Sequence, residues 1–200
     1  MELILIRYGE IALKKGNRKR FERQLIDNIK SKIPESKINY QHGRIFLETD
    51  NFDSDIISKL SKIPGITSFS KIIKSEKDYE IIKNRLLEIL DNNLNLRKVA
   101  TFRVEVRRVD KSYPIHSDEM SRLLAEDIIE RYPEFLSKVK LKNPELTLYV
   151  EIRNDFAYLF YEKIPGIGGL PVGIAGKSLA LLSGGIDSPV AFFLAMKRGM

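Results

Sequence analysis

The chain has 200 residues, 43% of them hydrophobic and 30% charged, with a formal net charge of +7 and no cysteine. Those proportions suit one or two globular domains, and no apolar run approaches the roughly 20 residues a membrane-spanning helix needs. The absence of cysteine excludes disulfides, thiolate metal sites and a cysteine nucleophile within these residues.

The N-terminal run Glu2-Leu3-Ile4-Leu5-Ile6-Arg7 has an acid before its apolar stretch and no small-residue cleavage site after it, so it reads as a first β-strand. Residues 17–33 place Phe21, Leu25, Ile29 and Ile33 four apart, which predicts a helix with Asn17 as its N-cap and Pro34 as its stop. Two short strands follow at 37–41 and 44–48, joined by a His42-Gly43 turn. Ile56, Ile57 and Leu60 predict a second helix over 52–62, and Pro64-Gly65 breaks it before a strand at 66–73. The order β-α-β-β-α-β is the ferredoxin-like arrangement.

A second block begins with a helix at 78–94, on Tyr79, Ile82, Leu86 and Ile89. Residues 101–107 then alternate, with Phe102, Val104 and Val106 on one face and Arg103, Glu105 and Arg107 on the other, as in a strand between core and water. Ser117, Asp118 and Glu119 open a helix that turns Met120, Leu123, Leu124 and Ile128 inward. Strands at 146–153 and 156–161 form a hairpin across Asn154-Asp155. Five glycines and two prolines in residues 164–176 mark a connector. Beyond it, Ser178 to Leu182 reads as a strand, and Ser188-Pro189 opens a helix that Phe192, Phe193 and Met196 make well buried, capped by Gly199. The expected fold class is α+β: a ferredoxin-like domain, an α/β domain and a final β-loop-α unit.

Between that last strand and helix lies Ser183-Gly184-Gly185-Ile186-Asp187-Ser188. Glycines let the backbone approach phosphate oxygens and take dihedrals closed to other residues, and free N–H groups at a helix start favour negative charge. Ser183 and Ser188 add hydroxyl donors. Asp187 alone would repel phosphate, so it is either a Mg²⁺ ligand or a backbone cap that shapes the loop. Two decoys fail: Gly176-Lys177-Ser178 lacks the glycine a Walker A loop needs where Pro171 stands, and Gly166-Ile167-Gly168 meets the same Pro171 where a dinucleotide fingerprint needs its third glycine.

The run Leu181 to Ser188 matches the PP-loop of the ATP-pyrophosphatases. With Gly168-Gly169-Leu170-Pro171-Val172-Gly173 before it and Pro189-Val190-Ala191 after it, it resembles the tRNA 4-thiouridine synthetases (the ThiI family). The start resembles them too, from Arg7-Tyr8-Gly9-Glu10-Ile11-Ala12-Leu13-Lys14 through Asn17-Arg18 and Phe21-Glu22, and the block between looks like a THUMP domain. Ile186 stands where relatives often have Phe, a hydrophobic spacer either way. The resemblance divides the chain into a ferredoxin-like domain at 1–72, a THUMP RNA-binding domain at 60–165 that overlaps it, a Gly/Pro linker at 166–176 and the start of the PP-loop domain at 177–200.

That resemblance implies an ATP-dependent tRNA sulfurtransferase of the cytoplasm. It would adenylate uridine 8 of tRNA and replace the oxygen with persulfide sulfur from a cysteine desulfurase, and would also supply sulfur for the thiazole of thiamine. ATP and Mg²⁺ are the implied cofactors. The implied partners are tRNA, gripped by its acceptor end and near uridine 8, and the desulfurase; a homodimer is left open and no membrane is involved. Ser183, Gly184, Gly185, Asp187 and Ser188 would hold the pyrophosphate end of ATP, Leu181 and Leu182 would contact the adenosine side through backbone, and Asp187 would be catalytic. A doubly wound domain needs on the order of 150 residues, and 24 remain from Lys177. The chain is therefore expected to be part of a longer protein, with its catalytic cysteine further on.

Two clusters are candidates for RNA. Lys14, Lys15, Arg18, Lys19 and Arg20 put five positive charges in seven residues with no acid, at a helix start where cations are mildly unfavourable; phosphate contact is favoured over a solvated surface. Arg103, Arg107, Arg108 and Lys111 form the second set, set against a salt-bridged sheet surface because Glu105 is near. Tyr113 and His116 could stack on unpaired bases, although sequence alone favours packing for Tyr113. His42 and His116 lie too far apart to suggest a metal, and none is assigned.

Three rival readings stand beside this. A THUMP methyltransferase would carry a Rossmann methyl-donor site in place of the PP-loop. A non-catalytic RNA-binding module would show no ATP turnover with the C-terminal part present. A small-molecule amidating synthetase would leave the first 165 residues without purpose.

Overall fold

Apolar spacing becomes a sandwich of helix and sheet in the first part of the chain. The structure, a computed structural model, describes residues 1–41 and 43–200, apart from the side chain of residue 94. It divides into two compact units, Met1–Lys71 with Lys163–Met200, and Ile72–Glu162.

The first unit holds β1 (Glu2–Arg7), α1 (Arg18–Lys32), β2 (Lys37–Gln41), β3 (Arg44–Thr49) and α2 (Ser54–Ser61). The first residues of β4 (Ser68–Ser75) belong to it, and the strand's remainder to the second unit. The strand order β2-β3-β1-β4 is ferredoxin-like, with β1 antiparallel to β3 and β3 antiparallel to β2. Ile4, Ile6, Ile45, Leu47 and Phe69 from the sheet pack with Leu25, Ile29, Ile56 and Leu60 from the helices. Leu25 and Ile29 are fully buried, each worth about 1.5–3 kcal/mol of apolar transfer.

Helix ends differ from expectation. Asn17 sits in helical dihedrals (φ −91°, ψ −3°) and makes no side-chain cap bond. The reason is that a short 3₁₀ turn, Lys15–Asn17, already leads into α1 and places Asn17 inside the coil rather than before it. α2 is capped instead by Asp53, which accepts from the Asp55 and Ile56 amides at 3.1 and 3.0 Å. The His42-Gly43 turn lies partly outside the described residues.

The second unit adds α3 (Tyr79–Asn92), β5 (Thr101–Arg108), α4 (Ser117–Arg131), β6 (Lys138–Val139), β7 (Leu146–Ile152) and β8 (Ala157–Phe160). β5 and β7 pair in parallel over Phe102–Arg108, as a strand-helix-strand crossover through α4 requires. β8 folds back antiparallel on β7 and also meets the end of β4. Phe102, Met120, Leu124, Ile128, Leu148 and Val150 form its core.

The Gly/Pro segment returns along the first unit. It contains β9 (Ile164–Pro165), paired with the start of β4, and it exchanges backbone bonds with residues 65–67: Gly166 N–H to Thr67, Gly168 N–H to Ile66 and Gly65 N–H to Gly168, at 2.8–3.0 Å. Gly166 must be glycine, since a Cβ there would lie 2.4 Å from the Ile66 carbonyl oxygen. The final helix, α5 (Asp187–Lys197), ends against this segment. Leu170 donates to the Lys197 carbonyl, and Gly173 and Ala175 donate to Gly199, at 2.8–2.9 Å. Gly199 follows the helix end with φ +95°, the cap geometry expected of it.

Candidate nucleotide loop and nucleic-acid surfaces

The loop is built on the N-terminus of α5. Its first turn carries Asp187, and no side chain caps it. The amides of Asp187 and Ser188 are therefore free of intrahelical partners, and Pro189 has no amide to leave orphaned. Ser183 and Ser188 face each other with their hydroxyls 3.0 Å apart, and the Gly185 amide points to the Ser183 hydroxyl at 3.4 Å. Donors thus converge from two serines and a helix start, an arrangement suited to an anion.

Three expectations about this region are corrected. Ser178 to Leu182 forms no strand, and Leu179, Leu181 and Leu182 are 92, 87 and 72% exposed. A strand exists only by pairing, and no strand among the described residues pairs with this one. α5 has no buried residue, with Phe192 at 50% and Phe193 at 41% exposure, because no sheet among the described residues covers that face. Gly184 and Gly185 do not use dihedrals closed to other residues, since neither has a positive φ. A Cβ on Gly184 would meet nothing within 4 Å, so what these glycines provide is open access to backbone.

The first basic cluster divides. Lys15, Lys19 and Arg20 are exposed and make no ion pair among the described residues. Lys14 lies 5.3 Å from the centre of the Phe21 ring. Arg18 is held: its Nε donates to Glu22 at 2.7 Å and its Nη2 to the Tyr8 hydroxyl at 2.9 Å. Glu22 is only 4% exposed and also accepts from Tyr8 and from Tyr40, the latter at 2.8 Å. Burial, then the bond to Glu22, pushes the Tyr8 hydroxyl well above its ordinary range, and the bond to Tyr8 raises Arg18. A cleft of about 570 Å³ opens here, lined by Lys15, Gly16, Arg18, Lys19, Glu22, Tyr40 and Gly43. Sequence reasoning missed Glu22; its signal was an i,i+4 acid set against a basic run.

The second cluster also divides. Arg103 is tied to Glu105 and to the Leu141 carbonyl, the latter at 3.1 Å. Arg108 donates to the Tyr113 carbonyl at 2.8 Å and lies 3.4 Å from His116 Nδ1. Tyr113 is 7% exposed within the core of the second unit, so its ring face is not available to stack on a base. His116 is exposed at the start of α4. Arg107 and Lys111 are exposed and make no ion pair among the described residues. Asp110 shapes their loop: it pairs with Lys77 at 2.8 Å and accepts from Ser112, which together hold its carboxyl well below the usual range. Among the described residues no group of three or more His, Cys, Asp or Glu side chains could hold a metal ion, and no helix is long and apolar enough to cross a membrane.

Comparison with known proteins orders these parts. The family of the ThiI ferredoxin-like domain matches residues 3–70, the THUMP domain 76–162, and the family described as thiamine biosynthesis protein (ThiI) 173–200. A probable tRNA sulfurtransferase of Acholeplasma laidlawii is 41% identical over 200 residues, covering 98% of this chain and 48% of the relative. The chain spans about half the length of the curated relatives it matches. The crystal structure of a 4-thiouridine synthetase–RNA complex with bound ATP superposes with a TM-score of 0.83 at 37% identity, over 100% of this chain and 50% of that one. PH1313 from Pyrococcus horikoshii gives 0.86 at 32% identity, over 100% and 66%.

Proposed function

We infer that this chain, which belongs to the ThiI family by its ferredoxin-like, THUMP and initial ThiI domains, is the tRNA-holding front of an ATP-dependent tRNA sulfurtransferase. The whole protein converts uridine 8 of tRNA to 4-thiouridine. The base is adenylated by ATP with release of pyrophosphate, persulfide sulfur from a cysteine desulfurase attacks the activated carbon with loss of AMP, and a second thiol cleaves the disulfide so formed to leave 4-thiouridine. The same sulfur serves thiamine thiazole synthesis.

The observation that carries the reading is the Ser183–Ser188 turn at the start of α5, standing directly after the two domains. In it Ser183, Gly184, Gly185, Asp187 and Ser188 receive the pyrophosphate end of ATP on backbone amides and on the two serine hydroxyls, which here bond one another. Leu181 and Leu182 offer backbone to the adenosine side. Asp187 is the loop's one carboxylate, and it would hold Mg²⁺ jointly with phosphate oxygens, an ion that neutralises phosphate charge when bound. Lys15, Lys19, Arg20, Arg107 and Lys111 supply unpaired cations for tRNA phosphates, with Arg18 presented by its clamp. The crystallised 4-thiouridine synthetase with RNA and ATP supports both ligands.

The test uses the complete protein with tRNA, ATP, cysteine and a cysteine desulfurase, followed by nucleoside analysis of the tRNA. We expect 4-thiouridine to form only with ATP present. Asp187→Ala should abolish it while leaving tRNA affinity unchanged. Thiolation that needs no ATP, or a complete protein without affinity for ATP, would overturn the reading.

A further inference from the structure

Glu22 is a carboxylate in the most basic stretch of the chain, yet it is 4% exposed. A buried charge is costly unless its partners are well placed. Here one oxygen receives three donors from three elements: Tyr8 after β1, Arg18 one turn back on α1, and Tyr40 on β2. Arg18 closes the ring by donating Nη2 to Tyr8 at 2.9 Å. The guanidinium is thus fixed through two of its three nitrogens, while its side chain keeps 35% of its exposure. Nη1 takes no part in these bonds.

The β2–β3 turn is fitted to the same group. Gly43 has φ +79°, and a Cβ there would lie 2.4 Å from Arg18 Nη2. No larger residue could sit so close without moving the arginine. The cleft beside this cluster carries Lys15 and Lys19 on its walls, and Lys15 itself takes the left-handed φ of +34°. An arginine already locked in one rotamer gives up little freedom on binding, and its planar donors suit a phosphate.

We propose that Tyr8, Glu22 and Tyr40 are positioning residues that hold Arg18 as a fixed ligand for one RNA backbone phosphate in this cleft, with Lys15 and Lys19 as its mobile companions. This rests on the tRNA reading above and deepens it. It makes a prediction of unusual sign. Removing an acid from a basic patch strengthens RNA binding if charge alone matters. Removing this acid weakens it, because Arg18 is released.

The experiment measures tRNA affinity of the intact protein against salt for the wild type, Glu22→Gln, Tyr40→Phe and Arg18→Ala. Glu22→Gln and Arg18→Ala should each weaken binding roughly tenfold and flatten the salt dependence by about 0.7–0.9 in logarithmic slope, the share of one phosphate. The double variant should lose no more than either single one. Tyr40→Phe removes only a hydroxyl from a side chain 44% exposed, so it keeps the test open should Glu22→Gln fail to fold. It should weaken binding in the same direction. Tighter or unchanged binding by a folded Glu22→Gln, or wild-type affinity and slope in Tyr40→Phe, overturns the proposal and leaves the tRNA reading standing. A wild type with no salt-dependent tRNA affinity overturns both.

Discussion

Residues 101–131 and residues 178–197 follow one pattern: a stretch that reads as a strand, a loop, then a helix with acid in its first turn. In the first region that stretch is a strand, with Phe102 fully buried and β7 bonded along its length. In the second it is not a strand, and its leucines face water. The helices form in both. A helix satisfies its own backbone and needs no neighbour for its hydrogen bonds, whereas a strand borrows them from another strand. The comparison shows which part of a β-loop-α unit is local. α5 arises from residues 187–197 themselves, whereas residues 178–182, with no partner strand among the described residues, stay irregular.

The sharpest way to break that comparison is to truncate one apolar residue in each stretch. Phe102→Ala should cost about 3–5 kcal/mol, as removal of a fully buried aromatic does. Leu181→Ala should change stability by less than about 0.5 kcal/mol, as an exposed substitution does. Urea denaturation of this chain reads both. A large loss at Leu181 would mean the segment is packed after all.

A smaller effect separates the free cations from the tied ones. Lys19 is exposed, and Arg103 is spent on Glu105 and Leu141. Lys19→Ala should lower the logarithmic salt slope of tRNA binding by about 0.7–0.9, and Arg103→Ala should leave it unchanged. Equal slopes in both variants would remove the distinction between the two kinds of basic residue.

Much of this was legible because it is periodic. Leu25 and Ile29 on α1, and the alternation of Phe102, Val104 and Val106 on β5, announce buried faces, and both are buried. The turn from Ser183 to Ser188 was legible as a motif, and its two serines do meet. What stayed hidden depends on distant partners. Nothing in the residues around Glu22 announces its burial, which depends on Tyr8 and Tyr40. β6 is two residues long and carries no pattern of its own. The pairing of β5 with β7 spans some forty residues of chain, so nothing local marks it as parallel.

The smallest effect tests a cap that the chain has against one that it only suggests. Asp53 and Asn17 look alike in sequence, each a short polar residue before an apolar helix. Asp53 stands outside its helix in extended backbone and receives two amides. Asn17 follows a 3₁₀ turn that has already begun the coil, so its side chain cannot reach back to the amides that a cap would serve. Asp53→Ala should therefore cost about 1 kcal/mol, and Asn17→Ala should cost close to nothing, both measured by urea denaturation. A costly Asn17→Ala would show that Asn17 serves the start of α1 despite its helical dihedrals.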